Sequence, residues 1–242
     1  MFYSRLAPRW QEAVGSHGGR LKALVLNDMA LDPIHSLEGR SVLELGAGNG
    51  YLMALLAARF PQQTPERLVV SDQCRPMLDL ARKHHPLPTA EYRVIDVAQG
   101  IPYDDDSFDC IVADLVLHEL HTGPLRRALS EARRVLQPGG RLLGSVYHPS
   151  YLDKLRQQGE LKRGPGGLTL APLVGGLYTP VVERREQAWR TAFSQWGRLE
   201  TVFRKVYVPP DFFAHSKLRL RATRTPIALS FQATPKPLSD IS

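Results

Sequence analysis

Apolar and polar positions alternate in two ways along the first 150 residues. Apolar-rich runs at 41–45 (SVLEL), 68–71 (LVVS), 92–97 (YRVIDV), 108–113 (FDCIVA) and 141–147 (RLLGSVY) predict short strands. Between them, residues 51–60, 75–84 and 124–136 space their apolar side chains as one face of a helix does. Pro61 stops the first of these helices. Pro124 opens the last, and Pro138-Gly139-Gly140 closes it. Short apolar strands separated by helices of this length predict an α/β domain, its mostly parallel sheet covered on both faces.

The flanks are less regular. Residues 1–39 read as an N-terminal helical cap, with helical spacing at 10–14 and 21–26. Residues 40–148 form the core unit, and 149–242 a lid and specificity segment followed by strands that complete the sheet. Within that last part, 159–180 holds six Gly and three Pro and predicts a long loop. Val182, Trp189, Phe193 and Trp196 mark a helical stripe over 182–196 that Gly197 would cap. Residues 199–208 and 226–233 read as late strands antiparallel to the rest, and 238–242 as a tail.

Composition narrows the class. With 242 residues, 43% hydrophobic and 23% charged, the chain suits one large domain and excludes wholesale disorder. No apolar run approaches the roughly 20 residues of a membrane-spanning helix, and MFYSRLAPRWQEAVG lacks the apolar stretch of a secretory signal. Cys74 and Cys110 stand far apart, which predicts no disulfide framework and a cytoplasmic setting. The net charge of +7 is uneven: residues 1–150 carry 16 basic and 17 acidic side chains, and 151–242 carry 15 and 7. Any attraction to acidic partners therefore belongs to the C-terminal part.

The chemistry concentrates at strand ends. Glu44-Leu45-Gly46-Ala47-Gly48-Asn49-Gly50 lies between a strand and a helix, where glycines let a ligand rest on bare N–H groups. A dinucleotide fingerprint requires a small residue at position 51; Tyr51 argues against NAD or FAD. Asp72 ends the second strand, 22 residues beyond Gly50, where a carboxylate accepts hydrogen bonds from a ribose diol. Asp96 and Asp114 end the third and fourth strands, so all three acids face one cleft at the carboxyl ends of the sheet. Together they predict a nucleoside site.

These motifs resemble the class I S-adenosylmethionine-dependent methyltransferases, in the broad group acting on small molecules. The resemblance rests on ELGAGNG at 44–50, VVSDQ at 69–73, IDVAQGIPYDDDSFDCIVADLVLHEL at 95–120 and EARRVLQPGGRLL at 131–143, with weaker support from YSRLAPRW at 3–10. It implies a Rossmann-like, doubly wound, mostly parallel seven-stranded sheet with an antiparallel final strand. It also implies S-adenosylmethionine as cofactor and S-adenosylhomocysteine as product. By position, Gly46, Ala47 and Gly48 would cradle the methionine part, with Glu44 orienting that loop. Asp72 would hold the ribose, Gln73 would lie beside the adenine, and Asp96 and Val97 would contact its edge. Asp114 and Leu115 would meet the methionine end and the mouth of the acceptor pocket, and Tyr3 would close over the cofactor. Gln73-Cys74 departs from the small or apolar residues common there.

The sulfonium would carry the reactivity, so the protein's task is alignment, with a base needed only for a protic acceptor. His118, Glu119, His121 and His148 follow strands four and five; His148 and His118 are the candidate bases. Tyr151, Leu152, Tyr178, Trp189, Phe193 and Trp196 offer aromatic and apolar surface for an acceptor, with plain helix packing the favoured reading of the Trp189, Phe193 and Trp196 stripe. Asp104–Asp106 lacks companions at metal-ligand spacing, so no metal is expected. The expected partner is a small-molecule acceptor, met by a monomer or homodimer. The alternatives are an RNA or protein methyltransferase using Lys217, Arg219, Arg221 and Arg224, and a non-catalytic binding protein. Against the first, Asp114-Leu115-Val116-Leu117 stands where base-amino methylating enzymes carry an NPPY-type motif; against the second, the glycine loop and Asp72 are intact.

Overall fold

The computed structural model describes residues 2–15, 22, 26–207 and 225–235. Helices α1 (Phe2–Val14) and α2 (Asn27–Leu31) precede the core. The core runs β1 (Ser41–Leu45), α3 (Tyr51–Arg59), β2 (Arg67–Asp72), α4 (Arg75–His84), β3 (Glu91–Val94), β4 (Phe108–Asp114), a 3-10 turn (Leu117–Glu119), α5 (Thr122–Val135) and β5 (Leu136–Tyr147). After it come α6 (Pro149–Gln157), β6 (Lys162–Arg163), β7 (Thr169–Pro172), β8 (Tyr178–Val181) and α7 (Glu186–Thr191). A π turn (Ala192–Trp196), β9 (Leu199–Val206) and β10 (Ala228–Pro235) follow.

Seven strands form one sheet in the order β3-β2-β1-β4-β5-β10-β9. β1 to β5 are parallel, while β10 runs antiparallel to both β5 and β9. The antiparallel final strand expected from the sequence is β10; β9, expected to be antiparallel too, runs in the same direction as β1 to β5, because it pairs antiparallel with β10. Every residue of β1 is buried, as a strand covered on both faces requires. Period-two alternation sorts the side chains. Leu43, Leu45, Ile111 and Ala113 join one core with Leu125, Leu129 and Ala132 of α5 and with Trp189 and Phe193. Val42, Val70, Cys110 and Val112 join the other with Leu52 and Leu56 of α3, Leu78 of α4 and Leu31 of α2. The strand order reverses at β1 and β4, and there the loops after the two strands diverge to open a crevice.

Several expectations need correction. The fifth strand starts at Leu136 rather than 141: Leu136 pairs with Phe108, and after a register shift Arg141 pairs with Cys110. Pro138-Gly139-Gly140 is thus an irregularity within the ladder rather than a break before it. The third strand is shorter than 92–97, ending at Val94 with one further bond from the Ile95 amide to the Asp72 carbonyl. Residues 159–180 are not a long loop, because β6, β7 and β8 pair into a small antiparallel sheet. Its glycines supply the tight connections: Gly166, Gly167, Gly175 and Gly176 all have φ between 63° and 78°. The stripe at 182–196 becomes helical only at Glu186, since the Val182 amide bonds the His118 carbonyl instead. Gly197, at φ −83°, does not cap it in the left-handed conformation. Of the helical segment expected at 21–26, residues 21 and 23–25 lie outside the described residues, as do position 208, the basic cluster from Lys217 to Arg224 and the tail at 238–242.

Candidate active site

The loops at the carboxyl ends of β1, β2 and β4 wall a cavity of about 320 Å³. α1 roofs it with Phe2, Tyr3, Trp10 and Val14, and the small sheet adds Leu168, Leu173, Thr179 and Pro180. Gly46, Ala47, Gly48, Asp72, Gln73, Asp96, Val97, Asp114, Leu115, Tyr3 and His118, widely separated in sequence, all line this space.

The glycine loop is shaped for close approach. Gly46 has φ +67°, and a Cβ there would lie 2.6 Å from Val116 Cγ2. Asp72 ties the loop to the second strand: its Oδ2 accepts from the Gly48 amide at 2.9 Å and its Oδ1 from the Cys74 amide at 2.8 Å. Burial pushes its carboxyl up to about 6, with both amide bonds pulling the other way. Above the loop stands the Trp10 indole, whose Nε1 would be 3.4 Å from a Cβ on Gly48 and has no hydrogen-bond partner among the described residues. The Ala47, Gly48 and Gly50 amides are taken by Ser71, Asp72 and Ala47, so they are not the bare N–H groups expected from the sequence; the buried Trp10 N–H, which has no acceptor among the described residues, is left to meet a polar ligand beside it. Asp96 is held by a turn in which its Oδ1 accepts from the Ala98 amide at 3.0 Å.

At the crevice, Asp114 accepts a hydrogen bond from Ser145 and pairs with Lys22 Nζ at 3.1 Å. The Lys22 ammonium also lies 5.4 Å from the Tyr51 ring centroid. Burial works against that charge, but Asp114 and then Tyr51 outweigh it and hold the ammonium well above the usual lysine range. Glu44 lies behind the loop and does not line the cavity; burial pushes it up to about 8, opposed by Lys22 and helped by Asp114 and Asp72. Lys22 and Trp10 had no assigned role in the sequence, because they precede the core and belong to none of its motifs.

The two candidate bases differ in placement. His118 is buried against Tyr147, ring centroids 4.6 Å apart, and neither ring nitrogen has a partner among the described residues. Burial first, then Lys22 and Arg184, lower its pKa to about 3, so it is a neutral imidazole that resists protonation. His148 does not line the cavity. It caps α6, its Nδ1 accepting from the Ser150 amide at 3.1 Å, and its Nε2 lies 3.6 Å from Glu186. His121 is exposed at the start of α5.

Glu119 is a further acid that the fold brings into the cavity. Its Oε1 accepts from the Tyr3 hydroxyl of α1 and, at 2.9 Å, from Thr179 of β8. The two hydroxyls are 2.7 Å apart. The aromatic surface expected for an acceptor is mostly spent on packing, since Tyr151, Leu152, Trp189 and Phe193 are core residues. Tyr178 stacks under Lys162, 3.9 Å from its ring centroid, and Trp196 packs against the core. Cys74 and Cys110 are free and buried, and no group of three or more potential metal ligands occurs among the described residues.

Residues 43–144 match the family model described as a methyltransferase domain. Among curated proteins, the chain is similar to the malonyl-[acyl-carrier protein] O-methyltransferase of Methylococcus capsulatus, 38% identical over 115 residues that cover 48% of this chain and 40% of that one. It is similar also to an uncharacterized methyltransferase of Mycobacterium bovis, 36% identical over 134 residues covering 54% and 50%. The chain thus spans half or less of the length of these relatives. Among solved structures, an S-adenosylmethionine dependent methyltransferase from Mesorhizobium loti aligns over 84% of this chain and 94% of its own, with TM-score 0.60 and 18% identity. The geranyl diphosphate C-methyltransferase of Streptomyces coelicolor, solved with S-adenosyl-L-homocysteine, aligns over 87% and 77% with TM-score 0.60 and 13% identity. Residues 43–144 thus match a methyltransferase domain, and the chain has the class I S-adenosylmethionine-dependent methyltransferase fold.

Proposed function

We propose that this chain is an enzyme that transfers the methyl group of S-adenosylmethionine to a small-molecule acceptor such as a natural product or lipid-like metabolite. The observation that carries the reading is the convergence of the glycine loop, Asp72, Asp96 with Val97, and Asp114 on one roofed cavity. Gly46, Ala47 and Gly48 cradle the methionine part, with Glu44 behind them stiffening the loop. Asp72 holds the ribose hydroxyls, Gln73 flanks the adenine, and Asp96 and Val97 meet its edge. Asp114 and Leu115 border the methionine end and the acceptor mouth, while Tyr3 closes the roof. The bound cofactor supplies an electrophilic methyl group; alignment and exclusion of water fall to the protein.

The acceptor end is lined by Val116, His118, Leu120, Tyr147, Leu168 and Leu173, a mostly apolar surface that favours a small molecule over a polyanion. His118, kept neutral, serves as a hydrogen-bonding wall for the acceptor, and His148 as a helix cap. Among the described residues no helix is long and apolar enough to cross a membrane, and both cysteines are free; a cytoplasmic setting, as a monomer or homodimer, belongs to the same reading. The test is transfer of tritiated methyl from S-adenosylmethionine to pooled small-molecule hydroxyls, amines, thiols and carboxylates, with total RNA and a mixed protein extract in parallel. Label in a small-molecule pool is expected; label in RNA or protein alone would overturn the acceptor class.

A further inference from the structure

Cofactor binding leaves one buried acid of the cavity without a task. Glu119 sits on the 3-10 turn after β4, and three chain segments converge on it: Tyr3 from α1, Thr179 from β8 and the turn itself. Both bonds end on Oε1, which anchors the carboxyl and leaves Oε2 unbonded among the described residues, at the wall of the cavity that Glu119 lines. A base must be held in place before it can be matched to a proton, and these two hydroxyls hold it.

We propose that Glu119 is the general base of the transfer and that the acceptor is accordingly a protic nucleophile, a hydroxyl, amine or thiol, on an apolar body. This rests on the methyltransferase reading above. A lone pair of the acceptor's heteroatom forms the bond to the methyl carbon. The methyl–sulfur bond breaks with its pair returning to sulfur, and the acceptor's proton passes to the Glu119 carboxylate. An acceptor that arrives ionised, as a carboxylate does, would need no such group.

The surrounding charges suit the role. Burial pushes Glu119 up to about 8, with Tyr3 and Thr179 pulling down, Asp72 pushing up and Lys22 opposing it. The other groups around it are Asp114 of β4, neutral His118 beside it, Tyr147 of β5, and Arg184, which donates to the adjacent Leu120 carbonyl. Before cofactor binds, Glu119 is therefore mostly protonated at pH 7. A sulfonium charge in a cavity of this size lowers that pKa by roughly 1 to 2 at an effective dielectric near 20. The carboxylate is thus formed when the cofactor binds. It regains its basicity as the sulfonium charge disappears, when the acceptor's proton must leave.

The test needs no acceptor. S-adenosylmethionine and S-adenosylhomocysteine differ in this respect only by the sulfonium charge. Each is titrated calorimetrically at pH 7 in two buffers of different ionisation enthalpy, which gives protons released per ligand bound. S-adenosylmethionine is expected to release about half a proton more than S-adenosylhomocysteine. The difference should fall in Glu119→Gln, with any remainder coming from Glu44, and persist in His148→Gln, whose group lies outside the cavity. Tyr3→Phe, which removes one donor to Oε1, should move the pH midpoint of the difference upward. Equal release by both ligands, or a difference undiminished in Glu119→Gln, overturns the proposal while leaving the methyltransferase reading intact. Failure of both ligands to bind overturns that reading, and the proposal with it.

Discussion

Replacing Asp72 by alanine bears on both the fold and the cofactor site, and the geometry lets the two effects be separated. The carboxylate accepts from the Gly48 amide at 2.9 Å and from the Cys74 amide at 2.8 Å, and each oxygen keeps a further lone pair for a ribose hydroxyl. Loss of two ribose hydrogen bonds at about 1 kcal/mol each removes about 2 kcal/mol, roughly a 30-fold weaker Kd. The two orphaned amides cost stability separately, about 1 to 3 kcal/mol each if they stay dry and less if water reaches them. That part is read from denaturant unfolding of the ligand-free protein. The binding part is read from calorimetric titration with S-adenosylhomocysteine at a temperature where the variant is folded. A folded Asp72→Ala protein with the wild-type Kd would refute the assignment of Asp72 to the ribose. A Kd loss with no change in unfolding free energy would instead show that the amide contacts contribute nothing to the fold.

Other outcomes follow from the same geometry. Gly46→Ala forces a Cβ to 2.6 Å from Val116 Cγ2 at φ +67°, and should cost about 2 to 4 kcal/mol in chemical denaturation; a cost under 0.5 kcal/mol would mean the loop is not fixed as described. Burial raises Glu44 to about 8 in the folded chain, above its unfolded value, so its contribution to stability is full below about pH 4.5 and is lost as pH rises toward 8. Glu44→Gln should therefore flatten the decline of Tm across that window; an identical decline in the variant would contradict it. His148→Ala removes the acceptor of the Ser150 amide and should cost about 1 kcal/mol of stability without altering cofactor affinity or the pH dependence of transfer. A pH profile that shifts with His148 would restore it as a base.

The core was legible because its signals are local. A five-residue apolar strand, a glycine turn and a ten-residue amphipathic helix each fit inside one window, and α4 runs over the same residues, 75–84, as its periodicity predicts. The acids at strand ends follow from the topology, so Asp72, Asp96 and Asp114 could be brought to one cleft from sequence position alone. What escaped depends on distant contacts. Glu119 could be placed near the cleft beside His118, but not singled out as a base, because its partners are 116 and 60 residues away. Nothing local distinguishes it from a helix-start residue. His148 follows a strand as a site residue would, yet Pro149 starts a helix there and turns the imidazole into its cap. The segment after Gly159 read as loop because its strands are only two to four residues long, too short for alternation to register against six glycines. Trp189 and Phe193 are core, as the packing reading of their stripe has it; a helical stripe carries no label for what covers it, so the acceptor reading could not be removed from sequence alone.

The central claim is that this roofed cavity binds S-adenosylmethionine. Calorimetric titration of the purified protein with S-adenosylmethionine and S-adenosylhomocysteine, with NAD as control, tests it most directly. Micromolar binding of the first two and none of NAD is the predicted result, with Tyr51 standing where a dinucleotide site needs a small residue. Binding of NAD, or of neither adenosyl compound by a protein whose circular dichroism is that of a folded α/β domain, would contradict it.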